Sequence, residues 1–543
     1  MKLYKKITAV LLMTAIGSLC FISSGCESNN NGSQTDTSTD VSAEVESLTA
    51  AAATNESATE ATAQTYYVDA VNGSNSNNGS EKTPFKTISY AAARVKPGNT
   101  VIVMPGLYNE TVNLSKSGDP DKYITFKASP DFTAKDLMSK YQDFEAAKNA
   151  GVVVKGDPNG FSIEASHVCI EGFFVTSEIT DHSIGIKVRK ATDTDGPYYD
   201  IKICNNVVYD NTEAGINSEG GYDLYVGGNI VYQNSSNGIW EGSGISVGFN
   251  DVPLDVGNTE GWRIVVENNI CYNNSGYDIG RRKKLNDPGA PHGSGGSTDG
   301  NGIILDWARE TRSLIRNNIV YNNGGRGICI TSSSNVAVVN NTFYDNGWDT
   351  NQAYHWNEYD DWWGDLQSGG NNNIFVNNII YANKKNTTDS RKNGTMGVRP
   401  KSPESYQGFN LYFNGITQAN FLHEGDITNK DPMFTNPPPL IGVGGRPPVG
   451  KSSNTELAAD YENANPLDTY HFYKVDFSLQ SGSPAVGSGY SKSAEITKPV
   501  KSMTDKTLAE LYFWLNDALP QYDIFGNPRD PNHMDMGAVA FVN

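Results

Sequence analysis

Six segments of the chain repeat one pattern: a short β-branched strand, an Asn at a corner, a second strand, an aromatic residue and a closing Asn. They are IKICNNVVYDN (201–211), LYVGGNIVYQN (224–234), IVVENNICYNN (264–274), LIRNNIVYNN (314–323), VAVVNNTFYDN (336–346) and NIFVNNIIYAN (373–383). Such repetition is typical of solenoids, in which each repeat forms one coil and buries its apolar face against the neighbouring coils. The sequence therefore predicts an all-β solenoid with parallel strands.

The corner asparagines predict an internal ladder. Asn tolerates left-handed backbone conformations, and its side-chain amide can donate to and accept from an identical amide one coil away. A structural role is therefore favoured over a catalytic one for the aligned corner residues, which are Asn206, Asn229, Asn269, Asn318, Asn341 and Asn378.

A third strand recurs after a glycine between the repeated segments, as in GIKVR (185–189) and GIILD (302–306). Alternate side chains of a strand point to opposite faces, so one set of residues is expected to face outward on a single sheet. This set contains Lys187, Arg189, Asn217, Glu219, Ser246, Ile304, Asp306, Cys329 and Thr331. Lys187 and Arg189 are candidates for binding an acidic sugar, with ordinary solvated charges as the alternative.

The spacing of the corner asparagines predicts where a binding surface lies. Consecutive corners are separated by 23, 40, 49, 23 and 37 residues, so three coils carry insertions beyond the shortest turn. The insertions cover about 240–263, 277–301 and 348–370. Insertions in a solenoid commonly project from one face and build its binding surface. Decorative surface loops are the alternative.

The amino terminus is typical of a bacterial export signal. Three lysines precede an apolar run over residues 7–22, and small residues come directly before Cys26. This order predicts a lipoprotein signal peptide over residues 1–26 with a lipid on Cys26, and simple secretion or an uncleaved membrane anchor is the alternative. The Ser, Thr, Ala and acidic composition of residues 27–64 predicts a disordered tether. We expect the folded part at a bacterial cell surface or outside the cell.

The charge of the chain excludes a nucleic-acid binder. The sequence has 61 acidic and 42 basic residues, and its formal net charge of −19 repels a phosphate backbone. We therefore expect a monomer without a nucleic-acid partner, which contacts the membrane only through its lipid.

Four cysteines follow Cys26, and each stands singly within a strand-like run. Their spacing fits neither a disulfide framework nor a zinc site. We predict free thiols at Cys169, Cys204, Cys271 and Cys329.

The opening segment TYYVDAVNGSNSNNGSEKTPFKTISYAAARVKPGNTVIVMPGLYNETV (65–112), the repeats and the coil ending GNGIILD (300–306) resemble pectate lyases and their relatives. The resemblance implies a right-handed parallel β-helix of the pectin lyase-like type over residues 65–400. It also implies a short capping helix near 86–95. Residues 401–543 are expected to form the final coil and a carboxyl-terminal cap whose main role is to cover that coil.

Within that group the chain is most similar to polysaccharide lyase family nine. The family's calcium-binding motif, Asn-Ser-Asp-Asp-Gly-x-Asp, is matched in part by residues 274–278, where only Asp278 carries over as an implied calcium ligand. The family's Gly-Asn-Gly-Phe-Lys motif is matched by residues 300–303, but Ile304 stands in the place of the catalytic lysine. The resemblance implies a lyase acting on an acidic, pectate-like polysaccharide with a rearranged base.

Eliminative cleavage of a uronate polymer removes the proton on C5 and expels the oxygen on C4, so it needs a cation beside the carboxylate and a nearby base. Four consecutive cations over residues 281–284 are a local exception on this acidic chain. Arg281, Arg282 and Lys283 are therefore the candidate catalytic residues, and His292 is a candidate substrate-binding residue. A solvated basic turn is the alternative.

Oxygen-bearing side chains in the same region suit a hard cation. Asp278, Asp299, Asn301 and Asp306 are candidate calcium ligands, since Ca²⁺ prefers carboxylate and amide oxygens. Asp and Asn are also ordinary turn residues, which is the alternative.

The third insertion is rich in indoles and acids, in WDTNQAYHWNEYDDWWGD (348–365). Trp356 and Trp362, with Trp240 from the first insertion, are candidates for stacking on sugar rings, although such a loop can also pack against the sheet. The acids raise a rival hypothesis, a glycoside hydrolase with two carboxylates. A non-catalytic surface protein that binds glycan is the third possibility.

Overall fold

The computed structural model is a solenoid of three parallel β-sheets. It describes residues 63–133, 136–137, 144–178, 183–189, 197–235, 242–248, 261–274, 299–309, 311–347, 365–382, 396–398, 405–415, 422–438, 440, 475–497 and 505–542. Along the chain, strands pass from sheet 1 to sheet 2 to sheet 3 and return to sheet 1 one coil further on. The right-handed parallel β-helix predicted from the repeats is confirmed.

Most strands are three to six residues long. Sheet 1 contains β1 (Thr65–Val68), β2 (Thr100–Val103), β5 (Ile124–Ala128), β8 (Val168–Glu171), β11 (Tyr199–Cys204), β14 (Tyr222–Gly227), β17 (Ile264–Glu267), β20 (Ser313–Arg316), β23 (Val336–Val339), β26 (Ile374–Val376) and β29 (Tyr406–Gly408). Sheet 2 contains β3 (Gly106–Asn109), β6 (Val152–Gly156), β9 (Phe174–Ser177), β12 (Val207–Tyr209), β15 (Ile230–Tyr232), β18 (Ile270–Tyr272), β21 (Ile319–Tyr321), β24 (Thr342–Tyr344), β27 (Ile379–Tyr381), β30 (Leu411–Phe413) and β31 (Ile427–Thr428). Sheet 3 contains β4 (Val112–Leu114), β7 (Asn159–Ile163), β10 (Ile184–Val188), β13 (Ala214–Glu219), β16 (Ile245–Gly248), β19 (Ile303–Asp306), β22 (Ile328–Thr331), β25 (Leu366–Gly369) and β28 (Met396–Val398).

The predicted Asn ladder forms at the corner between sheets 1 and 2. The backbone N–H and the Nδ2 of Asn269 both donate to Oδ1 of Asn318, at 2.9 and 3.0 Å, and Asn318 donates in the same way to Asn341. The pattern runs from Asn206 through all six predicted positions. It continues through Asn378 and Asn410 and ends on the carboxylate of Asp426.

A second ladder lies at the corner between sheets 2 and 3 and uses the closing Asn of each repeat. It links Asn211, Asn234, Asn274, Asn323 and Asn346 and ends on the carboxylate of Asp365. The glycine at the start of β10, β13, β16, β19 and β22 is needed beside this ladder. A Cβ on Gly215 would lie only 2.8 Å from Nδ2 of Asn234 and 2.7 Å from the carbonyl oxygen of Gly244.

The chain enters the solenoid through a short helix, as predicted. Helix α1 (Ile88–Ala92) begins after its N-cap residue Thr87, whose hydroxyl accepts from the backbone N–H of Tyr90. Its buried face, Ile88, Ala91 and Ala92, joins the core of the first coils. A second short helix, α2 (Phe144–Ala150), precedes β6 and was not predicted.

The carboxyl-terminal part does more than cover the last coil. The final coil is formed by β29, β30 and β31, and an antiparallel pair follows, β32 (Phe434–Asn436) and β33 (Asp476–Leu479). Helix α3 (Asp505–Ala518), which was not predicted, then packs with Leu511 and Leu515 on the outer side of sheet 1.

The outward residues of sheet 1 that receive α3 are apolar, and they come from coils well before the last one. Residues 519–542 contact the corner between sheets 1 and 2. There Nδ2 of Asn317 donates to the carbonyl of Tyr522, and Nδ2 of Asn340 donates to the carbonyl of Asp535. The expectation that this region mainly covers the last coil is therefore corrected. The apolar outward residues that made lateral packing favourable are Val265, Leu314, Ala337 and Ile374.

The four cysteines carry free thiols, as predicted. Cys271 and Cys329 are buried, and Cys169 and Cys204 are half-buried on the outer side of sheet 1. No helix in the described ranges has the length and apolarity needed to cross a membrane. The predicted lipid site, Cys26, lies outside the described residues.

Candidate functional site

The connections of the solenoid differ sharply between the corners of one coil. From β8 to β30, each connection from sheet 1 to sheet 2 is two residues long, because the Asn ladder fixes that turn. The connections that begin or end at sheet 3 vary instead: 15 residues separate β16 from β17, 30 separate β18 from β19, and 21 separate β24 from β25. The first predicted insertion is thus two connections, one on each side of β16. All the variable length of these coils attaches to the edges of sheet 3.

The outward side chains of sheet 3 form two adjacent rows, here called the outer strip. Strand register places Ser162, Lys187, Asn217, Ser246, Ile304, Cys329 and Gln367 in one row, and Glu219, Gly248, Asp306, Thr331 and Gly369 in the other. Arg189 and Glu164 continue the second row beyond their strands. The predicted outward orientation is confirmed, although Ser246, Ile304 and Cys329 are nevertheless buried.

The first half of the outer strip carries paired charges. Nζ of Lys187 lies 3.9 Å from Oε1 of Glu219, and Nη1 of Arg189 lies 2.5 Å from Oε1 of Glu164. Both pairs are at least partly exposed, so each stabilises the fold by well under about 1 kcal/mol. Such pairs are easily exchanged, and an anionic ligand can take the place of either carboxylate at little cost.

The second half of the outer strip brings a carboxylate, a hydroxyl and a thiol together. Asp306 is half-buried and pairs in register with Thr331, whose hydroxyl lies 3.1 Å from Sγ of Cys329. Burial raises the pKa of the Cys329 thiol to about 11; nearby Arg326 and the contact with Thr331 oppose the shift, and the charges of Asp299 and Asp306 add to it. We call Asp306, Cys329 and Thr331 the Asp306 cluster.

An exposed indole borders the Asp306 cluster. Trp307 directly follows Asp306, keeps 40% of its surface exposed and has a φ of 56°. The guanidinium carbon of Arg309 lies 4.1 Å from the centre of the Trp307 ring. An aromatic face beside carboxylates and a guanidinium suits a carboxylated sugar, which has an apolar ring face and a polar rim.

Two amides on the outer strip have atoms without a hydrogen-bond partner in the part of the chain that the structure describes. These atoms are Oδ1 of the half-buried Asn217 and Nε2 of Gln367, a residue with no exposed surface. One offers an acceptor and the other a donor. Both atoms are buried beneath the surface of the strip.

The described members of the predicted calcium set do not form one coordination shell. Nδ2 of Asn301 donates to Oγ of Ser243 and to Oδ1 of Asp299, and its Oδ1 accepts from the backbone N–H of Arg326 at 2.9 Å. Asn301 is fully buried, whereas Asp306 faces outward five residues later, about 15 Å along extended backbone. Asn301 is therefore a turn residue rather than a ligand shared with Asp306. No cluster of three His, Cys, Asp or Glu side chains suited to a metal occurs among the described residues.

Several predicted site residues lie outside the described residues. They are the predicted catalytic residues Arg281, Arg282 and Lys283, the predicted substrate-binding residues Trp240, His292, Trp356 and Trp362, and the predicted ligand Asp278. Sequence reasoning missed Trp307 and Arg326. A tryptophan placed directly after an outward aspartate at a strand end was the available signal for the first. Arg326 had none, because its position beside Asn301 comes from the stacking of two coils.

Three comparisons place the chain among known proteins. Residues 71–114 match a family described as a protein of unknown function, DUF1565. An uncharacterized protein of Bacillus subtilis strain 168, YwoF, is 39% identical over 56 residues, and this match spans 10% of the chain and 12% of that relative.

Solved structures with a similar fold include three carbohydrate-active enzymes. Pectate lyase Pel9A has a TM-score of 0.42 at 17% identity, with 88% of this chain and 96% of that chain covered. A rhamnogalacturonan lyase has a TM-score of 0.34 at 15% identity, with 64% and 87% covered. The GH136 lacto-N-biosidase of Eubacterium ramulus has a TM-score of 0.36 at 11% identity, with 67% and 68% covered.

Proposed function

We propose that the protein is an extracellular lyase that cleaves an acidic, uronate-containing polysaccharide on the outer strip of sheet 3, with a pectate-like galacturonan as the first candidate. One observation supports this proposal most strongly: from β8 to β30, every connection longer than two residues begins or ends at sheet 3. In these coils, chain length beyond what the coil needs is therefore present beside the outer strip, and such connections commonly carry binding residues.

Charge favours an acidic substrate. On a chain with a net charge of −19, the outer strip and its border still present Lys187, Arg189, Arg309 and Arg326. These cations come from three different coils, so together they can bind the carboxylates of more than one sugar along a polysaccharide chain.

The proposed reaction is a β-elimination. A base removes the proton on C5, the electrons of that C–H bond form a C4–C5 double bond, the C4–O bond breaks, and the leaving oxygen takes up a proton. A cation beside the carboxylate stabilises the negative charge that develops on removal of the proton. The predicted bases Arg281, Arg282 and Lys283 lie in the 30-residue connection that ends at β19, the strand that carries Asp306.

A glycoside hydrolase is the second candidate, and the pair Asp299 and Asp306 favours it. The charges of both carboxylates raise the pKa of the Cys329 thiol, so both lie in the neighbourhood of that residue. Hydrolysis requires one carboxylic acid and one carboxylate about 5 to 9.5 Å apart on either side of the scissile bond.

Product analysis separates the two reactions. The full chain is incubated with polygalacturonate, alginate, rhamnogalacturonan and neutral xylan, with and without a chelator followed by calcium. We expect ultraviolet-absorbing unsaturated uronides from at least one acidic polymer and none from xylan. Reducing ends without that absorbance would assign a hydrolase instead. Binding without any cleavage would leave a glycan-binding surface protein.

A further inference from the structure

Trp307 occupies a backbone position that does not suit a tryptophan. Its φ of 56° lies in the left-handed region, which costs a bulky L-residue roughly 1–2 kcal/mol. The same position after the outward row is occupied by Gly220 two coils earlier and by Ser332 in the next coil, with φ of 81° and 48°. Trp307 donates its backbone N–H to the carbonyl of Thr331, so coil stacking holds this conformation.

The indole is also exposed beyond what packing requires. Trp307 keeps 40% of its surface exposed, and the Arg309 guanidinium lies against the ring at 4.1 Å. Backbone strain and an exposed apolar ring both oppose folding, and a glycine at this position would avoid both. Strain of this kind at a cleft is typical of a residue retained for ligand contact.

From this placement we infer that Trp307 is the stacking platform for one sugar ring, in the subsite next to Asp306, and that Arg309 selects a uronate for that subsite. The inference rests on the proposed function and adds to it the residue that positions the ring. The indole contacts the apolar face of the pyranose, and the guanidinium beside it attracts the carboxylate at C5. Trp307 is a binding residue, and no proton transfer is assigned to it.

Five variants of the full chain test the inference: Trp307→Ala, Trp307→Gly, Trp307→Phe, Arg309→Gln and Phe513→Ala. Phe513 is the matched control, because it is an aromatic residue of α3 that is 67% exposed and lies away from sheet 3. Binding of polygalacturonate, alginate and neutral xylan is measured by titration calorimetry, and the melting temperature of each variant is recorded.

We expect Trp307→Ala and Trp307→Gly to weaken acidic-polymer binding at least tenfold, Trp307→Phe to stay within about threefold, and Phe513→Ala to match the unchanged protein. Trp307→Gly should melt no lower than Trp307→Ala, because glycine adopts the left-handed conformation without strain. Arg309→Gln should reduce the preference for acidic polymers over xylan.

The outcomes separate the two proposals. If the unchanged protein binds or cleaves an acidic polymer and Trp307→Ala does so equally well, the platform is overturned while the proposed function stands. If binding depends on Trp307 but only xylan is bound, the uronate selection and the acidic substrate are both overturned. If the unchanged protein binds none of the three polymers, the platform falls together with the proposed function.

Discussion

From β8 to β30, each coil contributes a two-residue turn to the corner between sheets 1 and 2, and a connection of up to 30 residues to an edge of sheet 3. The corner is lined inside by an amide ladder and covered outside by the carboxyl-terminal segment. The outer strip of sheet 3 carries charges, an exposed indole and amide atoms that lack partners among the described residues.

This difference between the corner and sheet 3 places the residues that stabilise the fold and the residues proposed to bind a ligand in separate parts of each repeat. At the corner, a change in length would break hydrogen bonds in two neighbouring coils, so every coil from β8 to β30 keeps the same turn. At the edges of sheet 3 the length of the connections varies while the strands remain stacked in register. The four predictions below test this separation.

The largest effect is expected inside the corner. Asn318→Ala removes the acceptor of both donors of Asn269 and the donor to the carbonyl of Val266, so several buried groups lose their partner. We expect a loss of about 4 kcal/mol in the free energy of unfolding, measured by urea denaturation. Asn217→Ala on the outer strip is the matched control and should cost less than about 0.5 kcal/mol. Equal losses would show that the two regions are not distinct.

The next effect is expected in the Asp306 cluster and on activity alone. Asp306→Asn keeps the size of an outward, half-buried side chain and removes its charge. We expect the rate of polysaccharide cleavage to fall about a hundredfold, roughly 2.7 kcal/mol of transition-state stabilisation, with the melting temperature changed by about 1 °C or less. Glu219→Gln, on the same strip, is the control and should lower the rate by no more than about threefold. A fall in the melting temperature that accounts for the lost activity would contradict the separation.

A pH effect is expected at the end of the corner ladder. Burial raises the pKa of Asp426 to about 6, from 3.8. Between these values the folded chain holds a proton that the unfolded chain releases, so this carboxyl lowers stability as pH rises from about 4 to about 6. Asp426→Asn should therefore gain about 2 kcal/mol relative to the unchanged chain between pH 4 and pH 7, measured by urea denaturation at each pH. A difference between the two chains that stays constant over this range would refute the assignment.

The smallest effect is expected in the first half of the outer strip. Lys187→Ala should raise the KM for an acidic polymer about threefold, because one partly exposed cation is lost. The rise should shrink at high salt. Lys127→Ala is the control, since Lys127 is also paired with acids, at 2.8 Å from Asp131, but lies on the outer side of sheet 1. If both variants raise the KM equally, the effect belongs to overall charge rather than to the strip.

The sequence was sufficient to predict the coil but not everything that surrounds it. The ladder at Asn206 to Asn378 was predictable because one residue type recurs at one place in each repeat. The acids that end the two ladders, Asp365 and Asp426, follow long connections and therefore fall outside the aligned segments. The apolar outward residues that receive α3 were visible in the repeats, at Val265 and Leu314, but only the register showed that they form a continuous surface.

The candidate site was predictable only in part. Lys187, Arg189 and Asp306 were assigned to the outer face by strand alternation alone. Their grouping depends on which coils stack, and the left-handed conformation of Trp307 depends on the carbonyl of Thr331 one coil away. The alternation of side chains along a strand predicts neither the grouping of these residues nor the conformation of Trp307. The sequence predicted a cation ligand at Asn301, whereas its amide is used in three hydrogen bonds. Those contacts were visible only in the structure.

Both amide ladders have a polarity, since each Asn donates toward the carboxyl-terminal end and accepts from the side of the amino terminus. An aspartate suits the last place because it accepts from the preceding Asn and has no amide of its own to satisfy. A duplicated coil inserted anywhere before that aspartate would meet the same donors and acceptors on both sides. The solenoid can therefore be lengthened by duplicating a middle coil, whereas its amino-terminal and carboxyl-terminal ends cannot be exchanged.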